Sequence, residues 1–569
     1  MSQEIDLMVK KWLDCEDVPN YLKIEIEHMS DEEKKVMFGQ RLKFGTAGMR
    51  GILAPGPNGM NELTVARATI GYKLVLLDMY KNTPISIVIA HDNRKNSELF
   101  ANIAKELLIH SGIKVIYFDS LRPTPLLSFA IRYYKAQGGI VITASHNPKE
   151  YNGYKIYNSN GYQITESMAN RITESINLNP DLPPYYGEVG DVTSSAVLAE
   201  NDVEEEFLRL CRNCQLNRSE KKNIKIVYTP QHGTGSVFAV RLLEECGYEV
   251  IPVKEQMTPD PEFSNTTCAN PEKIEAYKAA IELAKNNSAD LIFCTDPDAD
   301  RLGVMVKQKN DEYRLLTGNE VGTLLINYLL SERQRKAILP RSGGILFQSI
   351  VTSSLGSKIA EKYDVRTESF LTGFKYIGEA VTSIELYDPS AFQFGYEESC
   401  GYLVKDFCRD KDSFETMVVV AEMTNHYKLK GFSLEDKLDQ IYQEYGYIYN
   451  HNAEKNFKLS EAYKIDETLN TMRKNMPLKI GQFTISKVED YLQQETYDPA
   501  NKKVRKPMTE LPMENVIKLF LEDNKHWIAI RPSGTEPKIK FYYETTGNNI
   551  EEAKEIAKTL NQEINKMFN

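Results

Sequence analysis

A chain of 569 residues, 41% hydrophobic and 26% charged, is a globular protein too long for one core, and its length alone suggests about four domains. A net charge of −11 argues against a nucleic-acid partner, which wants a basic face, yet leaves room for a small phosphate ester in a locally positive pocket. No apolar run approaches the roughly 18 residues of a membrane span, and the N-terminus lacks the basic-then-apolar pattern of a secretion signal. The expectation is therefore a cytoplasmic protein that engages no membrane, with no obligate protein partner evident.

Residues 4–38 read as charged amphipathic helices. The stretch Phe44-Gly45-Thr46-Ala47-Gly48-Met49-Arg50-Gly51 is a flexible glycine loop in which Arg50 offers phosphate a planar fork. A strand–turn–helix–strand unit then occurs three times, with strands at 85–90 and 114–118, at 224–228 and 248–253, and at 344–347 and 365–367. The helices between them fall near 97–111, 236–246 and 353–362, so each unit belongs to a parallel βαβ layer.

The apolar stretch Gly139-Ile140-Val141-Ile142 predicts a buried parallel strand. Thr143-Ala144-Ser145-His146-Asn147-Pro148 follows at its carboxyl end, where open α/β sheets place their ligands. Pro148 disfavours a helical Asn147, so Ser145 is expected in an exposed turn, with His146 beside it and Lys155 on the same loop. A hydroxyl, an imidazole and an ammonium together point to transfer of an anionic group at the serine.

Eight cysteines are scattered along the chain, and only Cys211 and Cys214 have metal-ligand spacing. They sit in a helical pattern with no second pair, so they read as ordinary helix residues in a reducing compartment. The turn His232-Gly233-Thr234-Gly235 matches a dinucleotide fingerprint only in part, because Phe238 stands where the third glycine belongs.

A strand at 290–295 leads into Asp296-Pro297-Asp298-Ala299-Asp300-Arg301. Three carboxylates at alternate positions repel one another unless a cation lies between them. An EF-hand is excluded, since Arg301 and Lys307 occupy its glycine and glutamate positions. Hard oxygen donors without His or Cys favour Mg²⁺. Further on, Thr372-Gly373-Phe374-Lys375 and Gly395-Tyr396-Glu397-Glu398-Ser399 offer carboxylates, hydroxyls and an ammonium suited to a sugar. Residues 434–480 alternate charged helix and tyrosine-rich loop, and 491–510 read as an exposed polar excursion. A strand at 527–530, the loop Arg531-Pro532-Ser533-Gly534-Thr535-Glu536-Pro537-Lys538, a strand at 539–544 and a closing helix form a small α+β domain. The loop is no Walker motif, but it carries the equipment for gripping a phosphate dianion.

Taken together, T-A-S-H-N-P, D-P-D-A-D-R, G-Y-E-E-S and R-P-S-G-T-E-P-K resemble the α-D-phosphohexomutase superfamily, in its bacterial phosphoglucomutase and phosphopentomutase-like branch. The resemblance implies an α/β protein with three related mixed α/β domains plus a smaller C-terminal α+β domain around a central cleft. Its boundaries would fall at 1–200, 201–315, 316–435 and 436–569. It also implies that Ser145 carries a phosphate and, with Asp296, Asp298 and Asp300, binds Mg²⁺. Arg50, His146, Lys155, Arg301 and Lys375 would handle the moving phosphate and protons. Thr372, Gly373, Glu397 and Ser399 would hold the sugar, and Arg531, Ser533, Gly534 and Thr535 the phosphate at rest.

The implied reaction interconverts glucose 1-phosphate and glucose 6-phosphate, with a sugar 1,6-bisphosphate as intermediate and activator. Small-molecule sugar phosphates are the implied partners, and mannose or pentose phosphates are alternatives. A serine-dependent sugar phosphatase fits less well, because a hydrolase needs no second phosphate grip. The segment Ser264-Asn265-Thr266-Thr267-Cys268-Ala269-Asn270-Pro271-Glu272 departs from the more proline-rich approach usual in the family.

Overall fold

The computed structural model describes residues 3–45, 48–81, 83–178, 195–341, 343–458, 461, 463–501, 505–508, 511–533 and 538–568. Thr46, Ala47, Gly534 and Thr535 therefore lie outside the described residues. The chain forms two compact units, Met1–Val321 with Phe374–Gly431, and Gly322–Gly373 with Phe432–Asn569.

In the first unit one sheet runs in the order Met49–Ile52, Tyr151–Asn158, Gly138–Ile142, Ser86–His91, Lys114–Tyr117, Ala196–Leu198. Ser86–His91 pairs in parallel with both Lys114–Tyr117 and Gly138–Ile142, as the apolar runs and the intervening helix Ser97–Ile109 require. Its core is continuous through Ile87, Ile89, Ile140 and Ile142. A second sheet runs Tyr313–Leu315, Leu302–Lys307, Leu291–Thr295, Lys225–Thr229, Glu249–Pro252, with the last three parallel. Between Lys225–Thr229 and Glu249–Pro252 the expected helix is shorter, because a 3₁₀ turn, Thr234–Val237, precedes Ala239–Glu245.

Three functional segments share one device. A strand ends, a short loop follows, and the chain returns antiparallel. Gly138–Ile142 returns as Tyr151–Asn158, Leu291–Thr295 as Leu302–Lys307, and Phe392–Glu397 as Gly401–Leu403. Each loop is thereby clamped at both ends by ladder hydrogen bonds, which holds its side chains more tightly than a free crossover would. Lys155 consequently belongs to a strand, opposite Val141, and not to the serine's loop.

The helix Ser413–Leu429 is buried on nearly every face, its apolar run Met417, Val418, Val419, Val420 and Ala421 and its polar Glu415 and Glu422 alike, as a central helix is. Residues read as amphipathic N-terminal helices form Gln3–Asp14, Asn20–His28 and Asp31–Phe38, closed by Trp12, Leu22 and Phe38 against Leu63.

The second unit holds the third parallel pair, Gly344–Ser349 with Val365–Phe370, joined by the helix Ser354–Lys362. It also holds an antiparallel sheet through Tyr447–Asn456, Lys538–Gly547, His526–Pro532, Ile517–Leu521 and Phe483–Asp490. The helix Ile550–Met567 covers that sheet with Leu560 and Ile564 against Phe541 and Tyr543. The expected exposed excursion at 491–510 is a correction. Glu495–Tyr497 and Arg505–Pro507 extend the sheet, and Tyr491 and Tyr497 are buried. Its charge masked two tyrosines that face inward. Among the described residues, no helix is long and apolar enough to cross a membrane.

Candidate active site

Ser145 stands just past Gly138–Ile142 in the left-handed region, at φ +52°, and only 4% of it is exposed. The exposed turn expected from sequence is therefore a buried one. The cause is Arg94, whose guanidinium gathers the loop's carbonyls inward. It donates to Pro148 O at 2.8 Å and Tyr151 O at 3.0 Å, and also to Ser145 O and Asn147 O. The Ser145 N–H donates to Thr143 Oγ1 at 2.8 Å. Its hydroxyl donates to Asp296 Oδ2 at 2.6 Å and lies 3.3 Å from His146 Nδ1. Arg50, on Met49–Ile52, reaches the same loop with a 2.9 Å hydrogen bond to Asn147 Oδ1.

The aspartate loop occupies the turn between Thr295 and Leu302, which pair with each other. Asp296, Asp298 and Asp300 are all buried and present carboxylate oxygens within 4.8 Å of one another. Lys155 Nζ lies 2.8 Å from Asp298 Oδ2 and 3.9 Å from Asp300 Oδ2. Thr124, opening the helix Thr124–Tyr133, donates its hydroxyl to Asp298 Oδ2 at 2.8 Å and its N–H to Asp298 O at 2.9 Å. The Arg301 N–H donates to Asp296 Oδ1 at 3.1 Å, while its guanidinium pairs with Glu272 at 2.8 Å.

These contacts split the carboxyls. Burial, together with the charges of Asp300 and Asp298, pushes Asp296 well above the ordinary carboxylate range. Burial works against Asp298 as well, but Lys155 and the hydrogen bonds around it hold that carboxyl below the usual range. Asp298 Oδ1 and Asp300 Oδ1 are buried with no hydrogen-bond partner. Two orphaned oxygens inside an all-oxygen donor set fit a hard divalent cation, which would satisfy them and relieve the crowding at Asp296.

The third hairpin is pinned to the second. Arg301 forms an isolated bridge with Gly401, and the Leu302 N–H donates to Cys400 O at 3.0 Å. This brings Glu397 and Ser399 to the aspartate loop. Burial lifts the Glu397 carboxyl to about 7, with Lys411 opposing and Glu398 adding to the rise. Ser399 Oγ donates to Glu398 Oε1 at 3.1 Å. Lys411 Nζ is buried 3.1 Å from both Asp300 Oδ2 and Asp410 Oδ1. A Cβ at Gly401 would stand 2.2 Å from the Lys411 chain, so only glycine lets that ammonium through. Lys375 opens the helix Phe374–Glu385, its ammonium 4.7 Å from the centre of the Tyr376 ring.

Thr372 and Gly373 end a segment of the second unit, and the Thr372 hydroxyl is buried without a hydrogen-bond partner. Arg531 closes His526–Pro532 and donates through Nε to Glu514 at 2.8 Å. Its charge survives burial because Glu514 favours it. The Ser533 N–H donates to Lys538 O at 2.8 Å, so the two ends of the segment after Arg531 are joined. Gly534 and Thr535 are outside the described residues.

The structure thus gathers Arg50, Ser145, His146, Lys155, the three aspartates, Arg301, Glu397 and Ser399 in the first unit. Sequence reasoning missed Arg94, Thr124, Glu272 and Lys411, which contact these groups directly. Arg94 lay in a polar turn, and Lys411 in the charged run Arg409-Asp410-Lys411-Asp412 ahead of an apolar helix. A buried lysine or arginine is signalled by such a run abutting a core element. The turn His232–Gly235 packs against the aspartate loop. Thr234 binds Pro297 O through its N–H at 2.8 Å and its hydroxyl at 3.0 Å, and so buttresses the aspartate loop.

Comparison with known proteins identifies the four domains of one family along the chain. The chain matches phosphoglucomutase/phosphomannomutase alpha/beta/alpha domain I over residues 41–181, domain II over 205–309, domain III over 317–445 and the C-terminal domain over 484–562. It is 35% identical over 528 residues to a phosphoglucomutase of Staphylococcus haemolyticus, covering 90% of this chain and 92% of that one. A phosphoglucomutase of Staphylococcus aureus (strain MRSA252) is 34% identical over 532 residues, covering 91% and 92%. In fold, the chain is similar to parafusin, a Paramecium phosphoglucomutase, at a TM-score of 0.66 and 18% identity over 93% of this chain and 96% of that one. A phosphoglucomutase/phosphomannomutase family protein of Burkholderia thailandensis gives a TM-score of 0.66 at 15% identity, covering 92% and 97%.

Proposed function

We propose a specific reaction for this chain, which belongs to the phosphoglucomutase/phosphomannomutase family, isomerases that move phosphate within a sugar. The reaction is interconversion of glucose 1-phosphate and glucose 6-phosphate through a phosphorylated Ser145 and a glucose 1,6-bisphosphate. The observation that carries it is the buried Ser145 hydroxyl, held 2.6 Å from one carboxylate of a three-aspartate set. The choice of glucose is supported by relatives named phosphoglucomutase at 34–35% identity over nine-tenths of the chain.

In the forward half-reaction a sugar hydroxyl attacks the phosphorus on Ser145. The new P–O bond forms as the P–Oγ bond breaks, the attacking hydroxyl loses a proton, and Oγ gains one. His146, with Nδ1 3.3 Å from Oγ, is placed to exchange that proton with the serine. Arg50 and Arg301 present planar cations to the moving phosphate, and Lys375 adds an ammonium. Lys155 and Thr124 keep Asp298 ionised and oriented. Asp296, Asp298, Asp300 and the Ser145 side chain would hold Mg²⁺, which when bound neutralises phosphate charge. Glu397 and Ser399, with Thr372 and Gly373, are assigned the sugar hydroxyls. The Arg531–Ser533–Gly534–Thr535 loop is assigned the phosphate that does not move, in either orientation of the sugar.

We assign one loop to each of the segments 1–200, 201–315, 316–435 and 436–569, and glucose 1,6-bisphosphate as the activator. Eight free cysteines, six of them buried, fit a reducing cytoplasm.

Intact-mass measurement should show a fraction heavier by about 80 Da, one phosphoryl group, that disappears with excess substrate. A coupled assay should convert glucose 1-phosphate faster than mannose 1-phosphate, with trace bisphosphate raising the rate. Near-wild-type turnover by Ser145→Ala, or net release of inorganic phosphate by the wild type, would refute the reading.

A further inference from the structure

The turn at His232–Gly235 and the segment 258–272, which leads into the departing stretch Ser264–Glu272, have no part in the proposed chemistry. Both belong to one continuous set of contacts behind the serine and aspartate loops. Asn93 donates to Asp260 O at 2.9 Å, and Lys149 pairs with Glu262 at 2.8 Å. Phe263 is 7% exposed, and its ring lies 5.4 Å from the Arg94 guanidinium carbon. At the other end of the segment, Glu272 pairs with Arg301 at 2.8 Å. The first end is also tied to the turn. His232 Nδ1 lies 2.8 Å from Thr258 O, and its ring meets Phe263 edge to face at 6.4 Å. The same turn sits beneath Pro297 of the aspartate loop.

Arg94 is where this set reaches the serine. Asp92 anchors it through a 3.3 Å ion pair, and both side chains are almost wholly buried. Phe263 covers one face of the guanidinium, while its N–H groups take carbonyls of Ser145, Asn147, Pro148 and Tyr151. Four carbonyls converging on one planar cation hold Ser145 in its left-handed conformation, which a non-glycine residue adopts only under constraint.

We propose that residues 258–272 are a strap that sets the Ser145 loop against the aspartate loop, and that Arg94 is the positioning residue through which it acts. The inference rests on the proposed mutase reading, in which the distance between Oγ and the aspartates is a catalytic distance. Arg94 touches no reacting atom. Its effect is on where Ser145 stands, so its loss lowers kcat and leaves substrate affinity in place.

The test is Arg94→Lys, which keeps the charge but loses the planar fork. A displacement on the order of 1 Å costs up to about a hundredfold in rate, so kcat should fall about tenfold to a hundredfold with KM changed less than about twofold. Amide hydrogen exchange of the peptide 143–152 should lose protection in parallel. Wild-type kcat and protection, or a raised KM with kcat kept, would overturn the strap.

If Arg94→Lys does not fold, Phe263→Leu carries the test. It removes the ring over the cation, and should lower kcat about threefold and loosen the same peptide. Wild-type behaviour there overturns the proposal too. Exchange separates this inference from the mutase reading. Loss of protection in the variant, with no hexose phosphate turned over by the wild type, would refute the reaction and leave the strap standing.

Discussion

Asp298→Asn probes the centre of the site through its charge balance. The three aspartates present oxygens no more than 4.8 Å apart. At an effective dielectric of about 20, two unit charges at that separation repel by about 3.5 kcal/mol. Asp296 sits well above the ordinary carboxylate range, so Asp300 is the chief like charge facing Asp298, at about that cost. Against this stands Lys155, 2.8 Å away, worth about 6 kcal/mol on the same scale. The attraction exceeds the repulsion by about 2–3 kcal/mol, so in chelator the variant should be less stable than the wild type by about that much. With Mg²⁺ the two should diverge. Ligand at a hundredfold excess over Kd stabilises the wild type by about 2.7 kcal/mol, and the variant, short one anionic oxygen, by much less. Losing that charge beside a phosphate dianion should also slow turnover by about a hundredfold or more. Denaturant midpoints across an Mg²⁺ titration, with activity measured alongside, read both effects. Equal Mg²⁺ shifts in the two proteins, or wild-type activity that survives chelator, would refute the assignment.

Glu397→Gln addresses pH. Its carboxyl, lifted to about 7 by burial, keeps its proton in the folded state between about 4.5 and 7, where the unfolded chain has lost it, so stability falls as pH rises through that window. The variant should therefore gain on the wild type by roughly 3 kcal/mol between pH 4.5 and 8, read from denaturant midpoints in chelator, and a difference that does not change with pH would contradict this. Gly233→Ala puts a Cβ 2.4 Å from Pro297 Cα, so the aspartate loop must shift. We expect a stability loss of about 1–3 kcal/mol and a weakened Mg²⁺ response, and an unmoved titration would show that the turn does not support the loop. Arg531→Ala removes the proposed charge-assisted phosphate grip, worth about 1.5–3 kcal/mol, so both directions of turnover should slow about tenfold to a hundredfold, with more added bisphosphate required. Unaltered kinetics in both directions would exclude the loop from substrate binding.

What the sequence made legible has a physical pattern. The parallel strands were readable because both their faces are buried, so each shows as an unbroken apolar run such as Ile140-Val141-Ile142. The aspartate loop was readable because like charges at alternate positions demand an external explanation. Lys155 was found as a residue but misplaced as a loop cation, since nothing local shows that the chain returns as an antiparallel strand at Tyr151. Arg94 and Lys411 were illegible as site residues for the opposite reason. Each earns its position from partners far along the chain, Tyr151 and Phe263 for the one, Asp300 for the other. The buried tyrosines at 491 and 497 were lost among charged neighbours for the same cause, because burial is decided by the strand that pairs opposite.

Backbone strain follows the same long-range logic. Many left-handed non-glycine residues sit at ordinary turns, such as Ser288 past a helix end or Asn524 between strands. Six others, Ser145, Gln231, His232, Phe263, Ala299 and Cys400, fall on the serine loop, the aspartate loop, the third hairpin and the strap and turn behind them. Each costs about 1–3 kcal/mol and persists only where its surroundings over-determine it. Those surroundings are named above: Arg94 at Ser145, the Thr258 carbonyl at His232, and the Cys400 carbonyl held by Leu302 N–H. At Ala299 the carbonyl accepts from Ser413 Oγ at 2.6 Å. Glycine at these positions would relieve the strain and also release the loop. Retaining side chains there gives a stiffer site, which is what a reaction that moves a phosphoryl group over a fixed distance requires.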